Sequence, residues 1–425
     1  MSNVPSSPGG LSHRMIFLLA LSCGIGVANI YFPQAISPLI ADGLHVSRSA
    51  AATVVTASQF GYAAGIFLLV PLGDRLVPRG LLVTLLVVVS LGLLLAGTAQ
   101  TLPVLIIASG LVGLTTVVPQ IIIPMTVGFM PENRRGAVTG TLLSGLIGGI
   151  LLARSFSGGL GQWLGWRAPY LVTSSLVLLL AIVLAVTLPT TTPSSRERYP
   201  ALLATSVRLL RTEPDLRRSC LYQALVFAGF TGAWTSIALY VTGSTYKLGA
   251  SEIGLIALVG AASMFCTPVA GRLVDRRGPD VVNLVSMVGA IAAAGLLTSG
   301  RLGGAVGLVG LTLGMLVLDV AMQSGQVANQ ARIFALRPRM RSRLNTAYMT
   351  SAFLGGSVGS WLAVRAYYSL GWDGVCLLVA VLAALALARH LPVLPGRTAS
   401  PRSTVSVPLP QDAPAFSAGS DLARD

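Results

Sequence analysis

"PLGDRLVPRG" occupies Pro71–Gly80, and "AGRLVDRRGPD" occupies Ala270–Asp280, nearly half the chain further on. Each sets an Asp-Arg motif between two long apolar runs. The echo continues in order. "PENRRGAVTGTLLSGLIGG" from Pro131 is answered by "PRMRSRLNTAYMTSAFLGG" from Pro338, and "LGWRAPY" from Leu164 by "LGWDG" from Leu370. One such match would mean little. Three in register, between equivalent apolar runs, indicate a duplicated unit.

The runs themselves set the class. Hydrophobic residues make up 53% of the 425 positions, charged residues only 10%, and the mean hydropathy is +0.77. A soluble chain carries about 25% charged residues. Stretches near the ~20 residues needed to cross a bilayer recur throughout. The expected fold is an all-α polytopic membrane protein with twelve transmembrane helices as two six-helix repeats. The spans fall near 15–40, 48–70, 80–98, 103–127, 137–160, 168–188, 219–243, 252–270, 281–299, 304–329, 344–364 and 373–390. This divides the chain into an N-terminal segment (1–14), a first bundle (15–188), a linker (189–218), a second bundle (219–390) and a disordered tail (391–425). Within the linker, "SVRLLRTEPDLRR" predicts a short interfacial helix. The run after Arg14 is too long for a signal-peptide core and reads as the first span.

The net charge of +15 invites a nucleic-acid partner, but its distribution argues otherwise. One set of loops and flanks holds Arg75, Arg79, Arg134, Arg135, Arg272, Arg276, Arg277, Arg337, Arg339, Arg341 and Arg343. The other holds little beyond Arg48, Arg167, Lys247, Arg301 and Arg365. The positive-inside rule then places both termini in the cytoplasm and leaves no charge for nucleic acid to explain. Cys23, Cys220, Cys266 and Cys376 lack metal-ligand spacing and read as packing residues. His13, His45 and His390 lie far apart at loops or span ends. No nucleophile–base cluster or Walker loop is present, so neither an enzyme nor an ATP-driven pump is expected, and no catalytic residue, metal or cofactor is assigned. A duplicated bundle that can rock about a central site is a transporter plan.

With these motifs, the chain resembles the major facilitator superfamily over residues 15–390. The family's loop signature is matched at Gly271, Leu273, Asp275, Arg276 and Gly278, and in the first half at Leu72, Asp74, Arg75 and Arg79, with Val70 and Val77 where the glycines belong. "NIYFPQAISPLI", the span-five block and "GQVANQARIFALRPRMRSRLNTAYM" resemble bacterial inner-membrane drug or arabinose efflux permeases. The resemblance implies proton-driven export of a small molecule from a monomer in the inner membrane, with protons and lipid as further partners. It also implies gating by Asp74 and Arg75 and by Asp275 and Arg276. The antiporter pattern is only partly kept: Gly145, Gly148, Gly149, Gly158, Gly159 and Gly161 are there, but Arg154 interrupts them and no proline lies in the run.

Well inside the spans, two side chains are ionisable: Arg154 and Asp319. A charge in lipid costs at least ~2.5 kcal/mol at the bilayer centre, so both belong against protein or water. Asp319 is the proton-coupling candidate, against a fixed ion pair or helix-to-helix bond. Arg154 could pair with Asp319, hold an anionic substrate group, or snorkel. Asp319, Gln323, Gln326 and Gln330 share one helical face, with Asn329 beside it. Asn29, Tyr31 and Gln34 in span one, Gln59 in span two, Gln120 in span four and Trp234 in span seven complete the cavity or substrate-binding candidates. Pro33, Pro119 and Pro124 mark kinks. Three functions stand: a proton-coupled exporter, an uptake carrier for a sugar or organic acid, and a non-transporting membrane sensor.

Overall fold

The computed structural model describes residues 11–130, 132–189, 197–337 and 340–393. The expectations for residues 1–10, for the linker stretch 190–196 and for the tail from 394 onward lie outside the described residues. The rest is all-α. Among the described residues, ten helices are long and apolar enough to cross a membrane.

The first of these, His13–Leu44, is two helices in sequence, α1 (His13–Ala28) and α2 (Phe32–Leu44). The break falls where Pro33, in the first turn of α2, cannot donate to the ladder behind it. Next come α3 (Arg48–Leu68), α4 (Pro78–Thr98) and α5 (Leu102–Thr115). The stretch "GTAQTLP" (97–103) separates α4 from α5, with Ala99 and Thr101 extended. α5 and α6 (Val118–Gly128) part at Pro119 as expected, whereas Pro124 sits inside α6. α7 (Glu132–Leu164) and α8 (Ala168–Thr187) follow.

The linker helix, α9, spans Tyr199–Thr212. It buries Leu202, Ser206 and Leu209, and the Tyr199 hydroxyl donates to the Leu68 carbonyl at 2.7 Å. α10 (Pro214–Val241) begins five residues before the expected span, taking "DLRR" with it.

After α10 come α11 (Ala250–Gly260), α12 (Thr267–Leu297), α13 (Gly304–Leu336) and α14 (Arg341–His390). Ten candidates are counted among the described residues against the twelve spans expected. Spans eight and nine fall in one continuous 53-residue stretch, Ala250–Leu302, and spans eleven and twelve in another, Arg341–Val393. A straight helix of that length would run ~80 Å, over twice the bilayer core. Neither is straight. Gly278 interrupts the first at φ 82° and Gly371 the second at φ 66°, conformations that only glycine adopts freely.

Helices pair closely. α1 lies on α7, α3 on α5, α4 on α8, α10 on α14 and α12 on α13. A Cβ on Gly149 would come within 2.2 Å of the Gly24 carbonyl oxygen, so α1 and α7 touch backbone to backbone. α10 is enclosed on every side from Val226 to Val241. Other helices turn large apolar side chains outward, among them Trp163, Phe265 and Ile107, as lipid-facing surfaces do.

Candidate functional site

The enclosed helix α10 carries Phe230 and Trp234 one turn apart, and the α1–α2 break brings Tyr31 and Gln34 towards them. Between these stands Arg154 of α7. Its guanidinium carbon is 4.2 Å from the Trp234 ring centroid, 5.0 Å from Tyr31 and 5.7 Å from Phe230. Its Nε donates to Gln34 Oε1 at 2.7 Å. Three ring faces turned on a desolvated cation attract it by ~2 kcal/mol or more. The side chain is 1% exposed, which excludes snorkelling.

Asp319 of α13 is also 1% exposed. Among the described residues, neither of its carboxylate oxygens has a hydrogen-bond partner within 3.5 Å, though the Trp234 side chain and Arg154 both act on it at longer range. The two charges are nevertheless within electrostatic reach. Trp234 borders both. The point where Gly260 would carry a Cβ lies 2.6 Å from Asp319 Oδ2 and 3.7 Å from Trp234 Cζ2. The absent side chain at Gly260 therefore makes room for the carboxylate. Asn29 Oδ1, Gln34 Nε2 and Arg154 Nη2 are also buried without hydrogen-bond partners among the described residues. Such atoms normally cost free energy, and a cluster of them marks a place built to meet something else.

Segments before and after the linker touch at both ends of the molecule. At the arginine-rich end, Asp74 pairs with Arg343 at 3.4 Å, and Arg343 reaches Glu197 of the linker at 3.8 Å. Nearby, Gln120 accepts from Asn345 at 3.4 Å and donates to Tyr62 at 3.3 Å, and Tyr62 meets Phe353 edge-on at 4.5 Å. At the opposite end, Arg48 donates to Thr242, Ser155 to the Gly254 carbonyl and the Ala250 N–H to Gln162. The central charges lie between two sets of contacts.

A sequence model of the Major Facilitator Superfamily matches residues 16–332. The chain belongs to that superfamily. The "putative uncharacterized transporter YgaY" of Escherichia coli (strain K12) is 35% identical over 373 residues, covering 88% of this chain and 94% of the relative. The "probable transporter SCO4007" of Streptomyces coelicolor is 34% identical over 371 residues, 87% and 85% of the two chains. The crystal structure of the nucleoside transporter NupG superposes with a TM-score of 0.71 at 14% identity, covering 90% of this chain and 100% of that one, which shows a shared fold. This Major Facilitator Superfamily protein is thus a multi-pass inner-membrane transporter of a small molecule, and its work is transport and not catalysis.

Within the superfamily fold, the expected site residues divide. Tyr31, Gln34, Arg154, Trp234 and Asp319 converge. Asn29, in the α1–α2 break, bonds back to the Gly26 carbonyl at 3.2 Å with its other end free. Gln59 is fully buried, and both of its amide atoms lack partners among the described residues. Gln120 instead belongs to the contact at the arginine-rich end. Gln323 bonds Ser263 at 2.6 Å and Thr267 at 3.1 Å, fastening the 3₁₀ segment Ala261–Cys266 that joins α11 to α12. Asn329 accepts from Asn283 of α12 at 3.2 Å. Gln326 is half-buried with no side-chain bond among the described residues.

The second-half gating candidates stand apart from the ion pairs at the arginine-rich end. Asp275 and Arg276 are exposed and make no side-chain contact among the described residues. Gly278 turns the chain and Pro279 follows it, so Asp280 is the carboxylate that swings inward. It bonds Arg332 and lies 3.5 Å from Arg218, and its carbonyl is 2.9 Å from His390 Nε2. His390 is accordingly buried, 3.2 Å from the Tyr222 hydroxyl, and is no loose span end. In the first half, Asp74 is paired, while Arg75 is exposed without a partner among the described residues. The sequence reading missed Phe230, Gly260 and Arg332. Phe230 is one helical turn from Trp234, and that spacing was its only signal.

Proposed function

We propose that the protein is a proton-coupled exporter of a small organic molecule, drug-like or sugar-like, that works by alternating access. One observation carries this reading. A buried carboxylate, Asp319, with no hydrogen bond within 3.5 Å and no ion pair within 4.0 Å among the described residues, stands beside a buried arginine where helices from both sides of the linker meet. An unpaired carboxylate inside a membrane favours either a proton or a ligand, and exchange of one for the other couples their movements. A gradient must drive the cycle, since the sequence carries no ATP-binding loop.

The architecture in this reading is twelve spans as two six-helix bundles, 15–188 and 219–390. Counting each glycine-broken stretch as two spans gives that number. Gly165 and Gly371, equivalent in the repeat, both sit at positive φ directly before a tryptophan, which supports the duplication. Both termini face the cytoplasm on the arginine distribution, and the Asp74–Arg343 pair is the cytoplasmic latch. Rocking the bundles would break that latch while the contacts of Arg48, Ser155 and Gln162 hold, and then the reverse. A monomer holds all these parts.

The test is transport in proteoliposomes with an imposed pH gradient, screening dyes, sugars and organic acids while a trapped pH dye reports proton movement. Substrate-driven proton movement that Asp319→Asn abolishes is the expected result. Movement that survives this substitution would remove Asp319 from coupling. Inward accumulation driven by the proton gradient would make the protein an uptake carrier.

A further inference from the structure

We infer that the transported molecule is a small zwitterion, its carboxylate docking on Arg154 and its ammonium group on Asp319. This rests on the transport reading above and names the substrate class of the same site.

The starting point is a geometry that a purely structural role leaves unexplained. A buried arginine and a buried aspartate with nothing else to bind should close on each other, because an uncompensated buried charge costs several kcal/mol. Here they stay apart. The Trp234 ring fills the face of the guanidinium, and the carboxylate is tucked beside Gly260. Each charge is held on one side and has polar atoms without a hydrogen bond on the other. Arg154 is anchored through Nε on Gln34, and its Nη2 has no partner among the described residues. Neither Asp319 oxygen has a hydrogen bond within 3.5 Å among the described residues.

Candidate ligands can be ranked by what they would leave unanswered. A sugar's hydroxyls meet neither charge with one of opposite sign. A lipophilic cation satisfies Asp319 and buries Arg154 uncompensated. A simple organic anion does the reverse. A molecule with one ammonium and one carboxylate answers both and leaves the neutral balance of the site unchanged. Charge-assisted bonds at each end are the stronger kind, and a carboxylate can take two donors from one guanidinium edge. Gln34 Nε2 offers a further donor to the carboxylate, and Asn29 Oδ1 a further acceptor nearby. The rings of Tyr31, Phe230 and Trp234 give an apolar wall for the carbon skeleton. Competition between the ammonium group and a proton for Asp319 also yields exchange, the direction that export requires.

The experiment uses matched sets on one skeleton: phenylalanine, phenethylamine and 3-phenylpropanoate, with leucine, isopentylamine and 4-methylpentanoate in parallel. Purified full-length protein is titrated with each while thermal unfolding and tryptophan fluorescence are followed. At least one zwitterion is expected to act at about tenfold or more lower concentration than either partner lacking one charge, as loss of a charged contact dictates. Arg154→Gln and Asp319→Asn should each erase that advantage, and Arg154→Lys should retain part of it. Equal effects of the amine alone that persist in Arg154→Gln would overturn the inference, as would equal effects of the acid alone or no response to any of the six. If phenethylamine drives Asp319-dependent proton movement in proteoliposomes and the zwitterions do not, the substrate class falls and the exporter stands. If no compound in the wider transport screen moves protons, the exporter reading itself falls.

Discussion

The Arg154 guanidinium lies over the Trp234 ring, 4.2 Å from carbon to centroid, and the ring's edge reaches the Gly260 position beside Asp319. One side chain thereby steadies the buried cation and borders the buried anion. Trp234→Phe keeps a ring of weaker attraction and removes an N–H. It should weaken substrate affinity by about threefold to tenfold, or ~1 kcal/mol. Trp234→Leu removes the ring attraction altogether and should cost about thirtyfold, or ~2 kcal/mol. Equilibrium binding on purified protein checks both, with Phe60→Leu on the lipid-facing surface as the control.

Asp319→Asn should separate stability from transport. The carboxylate has no bond to lose among the described residues, and the amide carries no charge to bury. The variant is expected to melt within a few degrees of the parent, because not burying a carboxylate offsets the loss of the counter-charge near Arg154, while pH-gradient-driven transport disappears. A variant that melts earlier than that would show that the carboxylate is a structural tie.

Two adjacent glycines of α7 should behave in opposite ways. At Gly149 a Cβ would meet the Gly24 carbonyl oxygen at 2.2 Å, and backbone cannot yield cheaply; Gly149→Ala should cost ~1–3 kcal/mol and lower the melting temperature. At Gly148 nothing lies within 4 Å, so Gly148→Ala should be neutral or stabilising by up to ~1 kcal/mol through helix propensity. Thermal melts of the pair in detergent read the difference directly.

These expectations draw on features of unequal visibility in the sequence. Arg154 and Asp319 stood out because a charge in an apolar run has few innocent explanations. Pro33 foretold the α1–α2 break because a missing N–H interrupts any helix. The polar face through Asp319, Gln323 and Gln326 was readable as a face, but a helical wheel does not name neighbours. Gln323 turns to the Ser263–Thr267 turn, and Asn329, beside the face, turns to α12. Phe230 was silent because an aromatic residue in an apolar helix is ordinary. Asp280 and Arg332 were hidden for another reason: arginines near span ends already had an explanation in topology, and only the Gly278 turn shows which carboxylate faces them.

The Asp74–Arg343 pair should tune which way the transporter rests. Both side chains are partly exposed, at 31% and 17%, so the pair is worth at most ~1 kcal/mol. That is still enough to shift a balanced two-state equilibrium about fivefold. Asp74→Asn and Arg343→Gln should each favour the conformation in which the arginine-rich end opens. Arg343→Gln should act more strongly, since it also gives up the reach to Glu197. The double variant should differ little from Arg343→Gln alone, as coupled partners require. Exchanging the charges, Asp74→Arg with Arg343→Asp, should restore part of the original balance. The readout is the labelling rate of Asn345→Cys by a membrane-impermeant thiol reagent, in a background with Cys23, Cys220, Cys266 and Cys376 replaced. Asn345 bonds Gln120 in the closed contact, so its exposure follows the opening of this end. A labelling rate unchanged by either single substitution would show that Tyr62 and Phe353 hold the end shut without help from the ion pair.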